Sequence, residues 1–260
     1  MSDCTEQPAS ITREVWGGGE DTAEEARRAL TGLSLAVMLY GSRARGDPRP
    51  DSDVDVLQLV RNRSRSYANG RVNVTAYTPE HLMLMARRGS LFVRHLRDEG
   101  IVLADPHKVL AHILMEYRPP ADYDELKQEL ALVFAATSAV DADAFSAGLI
   151  RLVVYSVRSA LYIRTADLGR LTFDVERASA DCGVPELGAL LRSGGRGDAR
   201  LLGSIGLGLV GLPAPRDIPV DLPSLAVWSW DRFPLAARLL EAVVAGKTQI
   251  DYTSLTLPLA

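Results

Sequence analysis

The chain has 260 residues, a formal net charge of −4, and 47% hydrophobic against 24% charged residues. This composition excludes a disordered chain and a uniformly basic nucleic-acid clamp, and the length suffices for one or two cores. Two cysteines, Cys4 and Cys182, exclude a disulfide scaffold and fit a reducing, cytoplasmic setting. Residues 1–20 are polar, acidic and glycine-rich near their end, lack the basic and apolar parts of a signal peptide, and read as a flexible tail. No window approaches the about 20 apolar residues of a membrane span, so no membrane partner is expected.

Residues 21–33 have a helical pattern, with Asp21 or Thr22 as cap and Glu24 and Glu25 suited to the positive end. Residues 35–40 form a short apolar run stopped by Gly41, the mark of a buried strand. Residues 54–60 and 72–77 predict two more strands, the latter alternating Val72, Val74 and Ala76 with polar residues. Thr78-Pro79-Glu80 opens a helix, with Thr as cap and Pro at its first position. A helix over 91–98 ends at Gly100, and 101–103 predicts a last short strand. Asp105-Pro106 marks a boundary. Beyond it the strand signals fade: helices are predicted over 122–140, 143–165 and 225–245, the last interrupted at Pro234, with a long Gly- and Pro-rich loop over 193–223.

The organisation expected is therefore a tail at 1–20, an α/β domain at 21–105 and a helical bundle at 106–260. The charge divides unevenly among them, at −3, +2 and −3 respectively. The positive segment crowds Arg43, Arg45, Arg49, Arg61, Arg63 and Arg65 around one stretch, residues 39–56, which reads LYGSRARGDPRPDSDVDV.

That stretch carries chemistry. A strand ends in Gly41-Ser42, where glycine permits a tight turn and close backbone approach. Backbone N–H groups and the Ser42 hydroxyl can then cradle phosphate oxygens. Ten residues later stands Asp53-Val54-Asp55. On a strand, residues i and i+2 share a face, so the two carboxylates project together with Val54 behind them. Paired carboxylates repel unless a cation lies between them, and Mg²⁺ is commonly held by one or two carboxylates plus substrate phosphates. A phosphate turn beside a paired-Asp site fits nucleoside triphosphate chemistry.

The Gly-Ser, ten-residue, Asp-hydrophobic-Asp pattern resembles the nucleotidyltransferase superfamily of the DNA polymerase β type. It is similar in particular to small bacterial enzymes with a helical C-terminal domain, such as aminoglycoside nucleotidyltransferases. The resemblance covers residues 21–105. It implies an α/β (α+β) fold, a small mixed sheet with flanking helices, followed by an all-α bundle, with substrate expected between the two. It also implies metal-dependent transfer of a nucleoside monophosphate from a triphosphate, ATP foremost, to a hydroxyl acceptor, with release of pyrophosphate. Gly41 and Ser42 would hold the triphosphate, and Asp53 and Asp55 would be the catalytic ligands of Mg²⁺ (or Mn²⁺). Arg43 and Arg45 would either reach the phosphates or serve as surface arginines.

The chain departs from the family at the third acidic position, where Asn73 stands in the strand 71–77. An amide cannot take a proton at neutral pH. The alternative reading is thus a catalytically weakened nucleotide-binding module that acts through a partner. If a base is needed, Glu80 or the helical domain would supply it. The acidic helical segment disfavours a long nucleic acid and suits a cationic acceptor. The acceptor, the nucleobase and the oligomeric state are left open.

Other signals are discounted. Gly206-Leu-Gly-Leu-Val-Gly211 matches G-x-G-x-x-G without a preceding strand. His95 reads as an ordinary helix residue and Cys182 as a small core residue. Arg-Gly-Asp at 45–47 and 196–198 reads as chance. The helix 143–165 has arginines but no histidine, which disfavours an RNase with an Arg-x4-His signature.

Overall fold

The computed structural model describes residues 20–49, 52–193 and 198–247. The expected tail lies almost wholly outside them, as do Arg196 and Gly197 of the second Arg-Gly-Asp. The chain divides into two compact units between Pro119 and Pro120.

The first unit begins with α1 (Glu20–Ala29) and β1 (Ala36–Tyr40), then a one-turn helix α2 (Ser42–Arg45) and β2 (Val54–Leu59). Strands β3 (Arg65–Asn69) and β4 (Val72–Tyr77) follow, then α3 (Pro79–Arg87), α4 (Leu91–Glu99), β5 (Ile101–Ala104) and α5 (Val109–Met115). The sheet order is β3-β4-β2-β1-β5, with β2 and β4 parallel and the other neighbours antiparallel. This is the small mixed sheet with flanking helices that the sequence predicts.

The alternation of side chains gives the sheet two apolar faces. Met38, Leu57, Leu59 and Tyr77 meet Leu82 and Met85 of α3, Phe92 and Leu96 of α4, and Leu110 and Ile113 of α5. Val37, Leu39, Val54, Val56, Val72 and Val74 face the other way and pack with Ala26 and Ala29 of α1. A central sheet buried on both faces explains why these strands read as near-continuous apolar runs. Thr78 caps α3 as expected, its Oγ1 accepting from His81 N at 3.3 Å.

The first unit differs from the sequence reading at several points, the unpredicted helices α2 and α5 among them. Helix α1 already begins at Glu20, so neither Asp21 nor Thr22 is its cap. Strand β3 is absent from the predicted elements: it is an edge strand with mostly exposed side chains and no apolar alternation. The unit boundary falls at Pro119 rather than at 105/106. Leu110, Ile113 and Tyr117 complete the first core, and Arg118 N donates to Ala86 O at 3.0 Å.

The second unit comprises α6 (Asp124–Ala135), α7 (Ser146–Asp167), α8 (Val175–Asp181), α9 (Pro185–Arg192), α10 (Ala199–Val210), α11 (Leu222–Ser229) and α12 (Pro234–Val244). It is all helical. Together with the short turns before it, α7 forms a stretch, Ala142–Asp167, long and apolar enough to cross a membrane by length and composition, contrary to the sequence expectation. Its apolarity is used inside the unit, where Leu149, Leu152, Val153, Val157 and Leu161 are fully buried. The predicted loop over 193–223 contains α10. Two of its glycines allow close packing: a Cβ on Gly206 would lie 2.5 Å from the Phe134 ring, and one on Gly203 would collide with Thr137 Oγ1. Of the three glycines in the G-x-G-x-x-G match, only Gly206 packs against another helix; Gly208 is exposed, with open space around it, and Gly211 is the left-handed cap. Pro234 starts α12 at its first turn instead of interrupting a helix. The N-terminus of α12 is held by a buried carboxylate: Glu129 Oε2 accepts from Ala236 N at 2.8 Å and Oε1 from Leu235 N at 3.4 Å.

Candidate functional site

The candidate residues converge where β1 ends and β2 and β4 begin. Tyr40 pairs with Asp55 across the antiparallel ladder, and Asp55 pairs with Asn73 across the parallel one. All three extend the face that carries Met38, Leu57 and Tyr77 deeper in the sheet. Burial of Val54 and Val56 on the opposite face fixes this register, since a one-residue slip would turn valines toward the site. Asp53 is exposed and lies just before β2, while Asp55 is half-buried on the strand.

Gly41 closes the site from the β1 side. Its φ of 75° lies in the left-handed region. A Cβ at this position would stand 2.6 Å from Asp55 Oδ2, so only a glycine lets the turn lie against that carboxylate. The turn then winds into α2: the N–H groups of Ala44 and Arg45 bond to Gly41 O, and those of Gly46 and Asp47 to Ser42 O, each at 3.1 Å.

The third position is occupied by Asn73, whose Nδ2 donates to Asp53 Oδ2 at 3.1 Å. No group of three or more His, Cys, Asp or Glu with a metal-holding arrangement occurs among the described residues. Asp53 and Asp55 stand at i and i+2 on one face of the sheet, and carboxylate oxygens of this kind suit a hard divalent cation whose other ligands come from phosphates and water.

The two arginines of the turn are engaged within the protein. Arg43 donates to the carbonyls of Ser52, at 2.9 Å from Nη2 and 3.3 Å from Nε, and of Asp53, at 3.2 Å from Nε. Arg45 pairs with Glu99 at 3.1 Å and with Asp47 at 3.4 Å, which makes the first Arg-Gly-Asp an internal ion pair. Arg61 and Arg63 follow the end of β2, at the opposite end of the sheet from Asp55. Glu80 is likewise remote, in the first turn of α3 beyond the far end of β4.

Several further residues at the site are not among the predicted ones. Tyr40 OH shares a hydrogen bond with Thr75 Oγ1 at 3.1 Å. Burial pushes its phenol well above the ordinary value, and the neighbouring Asp55 charge adds to this, against the smaller effect of Thr75. The ring meets Phe92 and His95 edge-on, at 5.4 and 5.7 Å between centroids. His95 Nε2 lies 3.2 Å from Glu99 Oε2. Burial alone would raise the Glu99 carboxyl, but the hydrogen bonds and charges of His95 and Arg45 outweigh it and hold it below the usual range. Spacing i,i+4 could have suggested the His95–Glu99 pair; its junction with Arg45 depends on the tertiary fold. On the other side, Arg71 makes a bidentate bridge to Glu25 at 2.6 and 2.7 Å, tying the start of β4 to α1. The Arg71 hydrogen bond lowers the Glu25 carboxyl despite a small burial effect.

The glycine turn, the paired carboxylates and the mixed sheet agree with one comparison. Residues 21–88 match the family model of the nucleotidyltransferase domain. The first unit carries a nucleotidyltransferase domain. The match spans α1 through α3 of this domain, and so includes every candidate site residue from Gly41 to Asn73. No curated protein matches the chain at a significant level. Nucleotidyl transfer is accordingly the chemistry of this domain's family, and a nucleoside triphosphate its class of substrate.

Proposed function

We propose that this protein moves a nucleoside monophosphate from a triphosphate, ATP foremost, to a hydroxyl acceptor with release of pyrophosphate, in the cytoplasm. The observation that carries the reading is the contact between the phosphate turn and the carboxylate: Gly41 leaves no room for a Cβ beside Asp55 Oδ2. A triphosphate lying on the N–H groups and hydroxyl of Gly41-Ser42 would have its charge beside Asp53 and Asp55. In this reading those two residues hold Mg²⁺ or Mn²⁺, which supplies charge neutralisation for an in-line displacement at the α-phosphate. Gly41 and Ser42 bind and orient the triphosphate. Asn73 keeps Asp53 in place and takes no proton itself, so the acceptor must lose its proton to another group or to solvent.

The hydrogen bond from Asn73 to Asp53 also supports the second reading, a nucleotide-binding module with little turnover. One assay separates the two. The protein is incubated with labelled nucleoside triphosphates and Mg²⁺, with hydroxyl acceptors and a cell lysate. Label transfer that disappears in Asp53→Ala is expected for the enzyme. Nucleotide binding with no transfer under any condition favours the module.

A further inference from the structure

Helix α2 has a problem of stability. It has four residues, none of them buried, and no side-chain cap. A single turn does not hold itself together in water. Its Ala44 is only partly buried against the α1 side of the sheet. Yet this turn sets the backbone conformation of Gly41 and Ser42. Two side chains tie it down, and they leave in different directions. Arg43 reaches the carbonyls of Ser52 and Asp53, which joins the turn to the carboxylate-bearing segment. Arg45 reaches Glu99 at the end of α4. The Arg45 and Glu99 side chains are 19% and 17% exposed, so this ion pair is largely shielded from water, unlike the surface pairs of α1. His95, one turn back on α4 and 12% exposed, braces the Glu99 carboxylate from the other side.

We infer that Glu99 is a positioning residue for nucleotide binding: through Arg45 it fixes α2, and with it the Gly41-Ser42 turn, against the carboxylates. Arg43 and Arg45 are then struts of the site. The inference rests on the proposed role of that turn in holding the triphosphate, and it extends the machinery to α4, outside the residues matched by the family.

The test reads the turn directly. Four amides report it: those of Ala44, Arg45, Gly46 and Asp47, which bond to Gly41 O and Ser42 O. In Glu99→Ala, hydrogen exchange at these four is expected to speed up by roughly tenfold, while amides in β1, β2 and β4 keep their wild-type rates. Glu99→Gln, which keeps an acceptor for Arg45 but no charge, should give a smaller change. Arg45→Ala should match Glu99→Ala, and the double variant should be no worse than either alone. The affinity for ATP with Mg²⁺ should fall by roughly tenfold in Glu99→Ala. Unchanged rates at the four amides overturn the inference, as does an equal acceleration across the sheet. So does undiminished ATP affinity in the loosened variant. If the wild-type protein binds no ATP at all, the functional reading fails, and the amide rates alone decide whether Glu99 is the strut.

Discussion

Asn73 donates its side-chain amide to Asp53, with Nδ2 at 3.1 Å from Oδ2. An amide here removes the repulsion that a third carboxylate would bring, and it occupies an oxygen of the exposed aspartate. Asn73→Asp reverses both effects. The variant should unfold at a lower temperature than wild type without metal, because three carboxylates then face one another. It should gain more from added Mn²⁺, because the donor set is larger. Thermal denaturation with and without Mn²⁺ checks this, and pyrophosphate release with a working acceptor should rise. An equal Mn²⁺ effect in both proteins, with no gain in turnover, would count against a metal role for this position.

Gly41→Ala combines two costs. The left-handed backbone is strained for alanine by about 1–3 kcal/mol. The new Cβ also falls 2.6 Å from Asp55 Oδ2, and the carboxylate must move away. Urea denaturation should show a loss in the range of the backbone strain. The loss of ATP affinity in the presence of Mg²⁺ should be larger than that stability change explains, because the displaced group is the candidate ligand.

Glu129 gives the second unit a pH dependence of known sign. Burial raises its carboxyl above the ordinary 4.5, against the lowering effect of the Ala236 and Leu235 amides and with a small addition from Glu125. A carboxyl whose pKa is higher folded than unfolded favours the fold while protonated. Its contribution is present below the unfolded pKa and lost as pH rises through the folded one. Glu129→Gln removes the titration and keeps an oxygen for the Ala236 amide. The stability of Glu129→Gln relative to wild type should therefore increase as pH goes from about 4 to 7. The slope is the readout, since a fixed packing penalty shifts both ends equally. A flat or falling difference would refute the account.

Two glycines of α10 make a matched pair. Gly206→Ala places a Cβ 2.5 Å from the Phe134 ring and should destabilise by about 1–3 kcal/mol. A Cβ on Gly208 would meet nothing within 4 Å, so Gly208→Ala should stabilise by about 0.5–1 kcal/mol through helix propensity. Chemical denaturation of both variants tests whether the glycine pattern is a packing device. Equal effects would argue that it is not.

The central strands and the helices that flank them are legible because burial on both faces leaves long apolar runs, and because Thr78-Pro79 and Gly100 punctuate them clearly. Gly41, Asp53 and Asp55 are legible because their spacing is tied to the ends of such strands. Strand β3 is not, since an exposed edge needs no apolar alternation. Helix α2 is hidden because tertiary arginine contacts hold it, and these leave no local pattern. Helix α10 reads as a loop because glycine lowers helix propensity; its close packing on Phe134 and Thr137 overrides that preference. Glu99 escapes notice for a related reason: its partner Arg45 is distant in sequence.

The start of β4 separates packing from chemistry. Val72 and Val74 are buried in the core shared with α1, while Asn73 between them points to the other face and is half-buried. The residue at 73 can therefore be exchanged among small polar types while its neighbours keep the strand in place. Gly41, whose backbone conformation and lack of a side chain are both required, has no such freedom. An ancestor or descendant of this chain could thus gain or lose a third acid in one substitution without rebuilding the fold. On the proposed reading, turnover would respond to the residue at 73 while the strand that carries it stayed as it is.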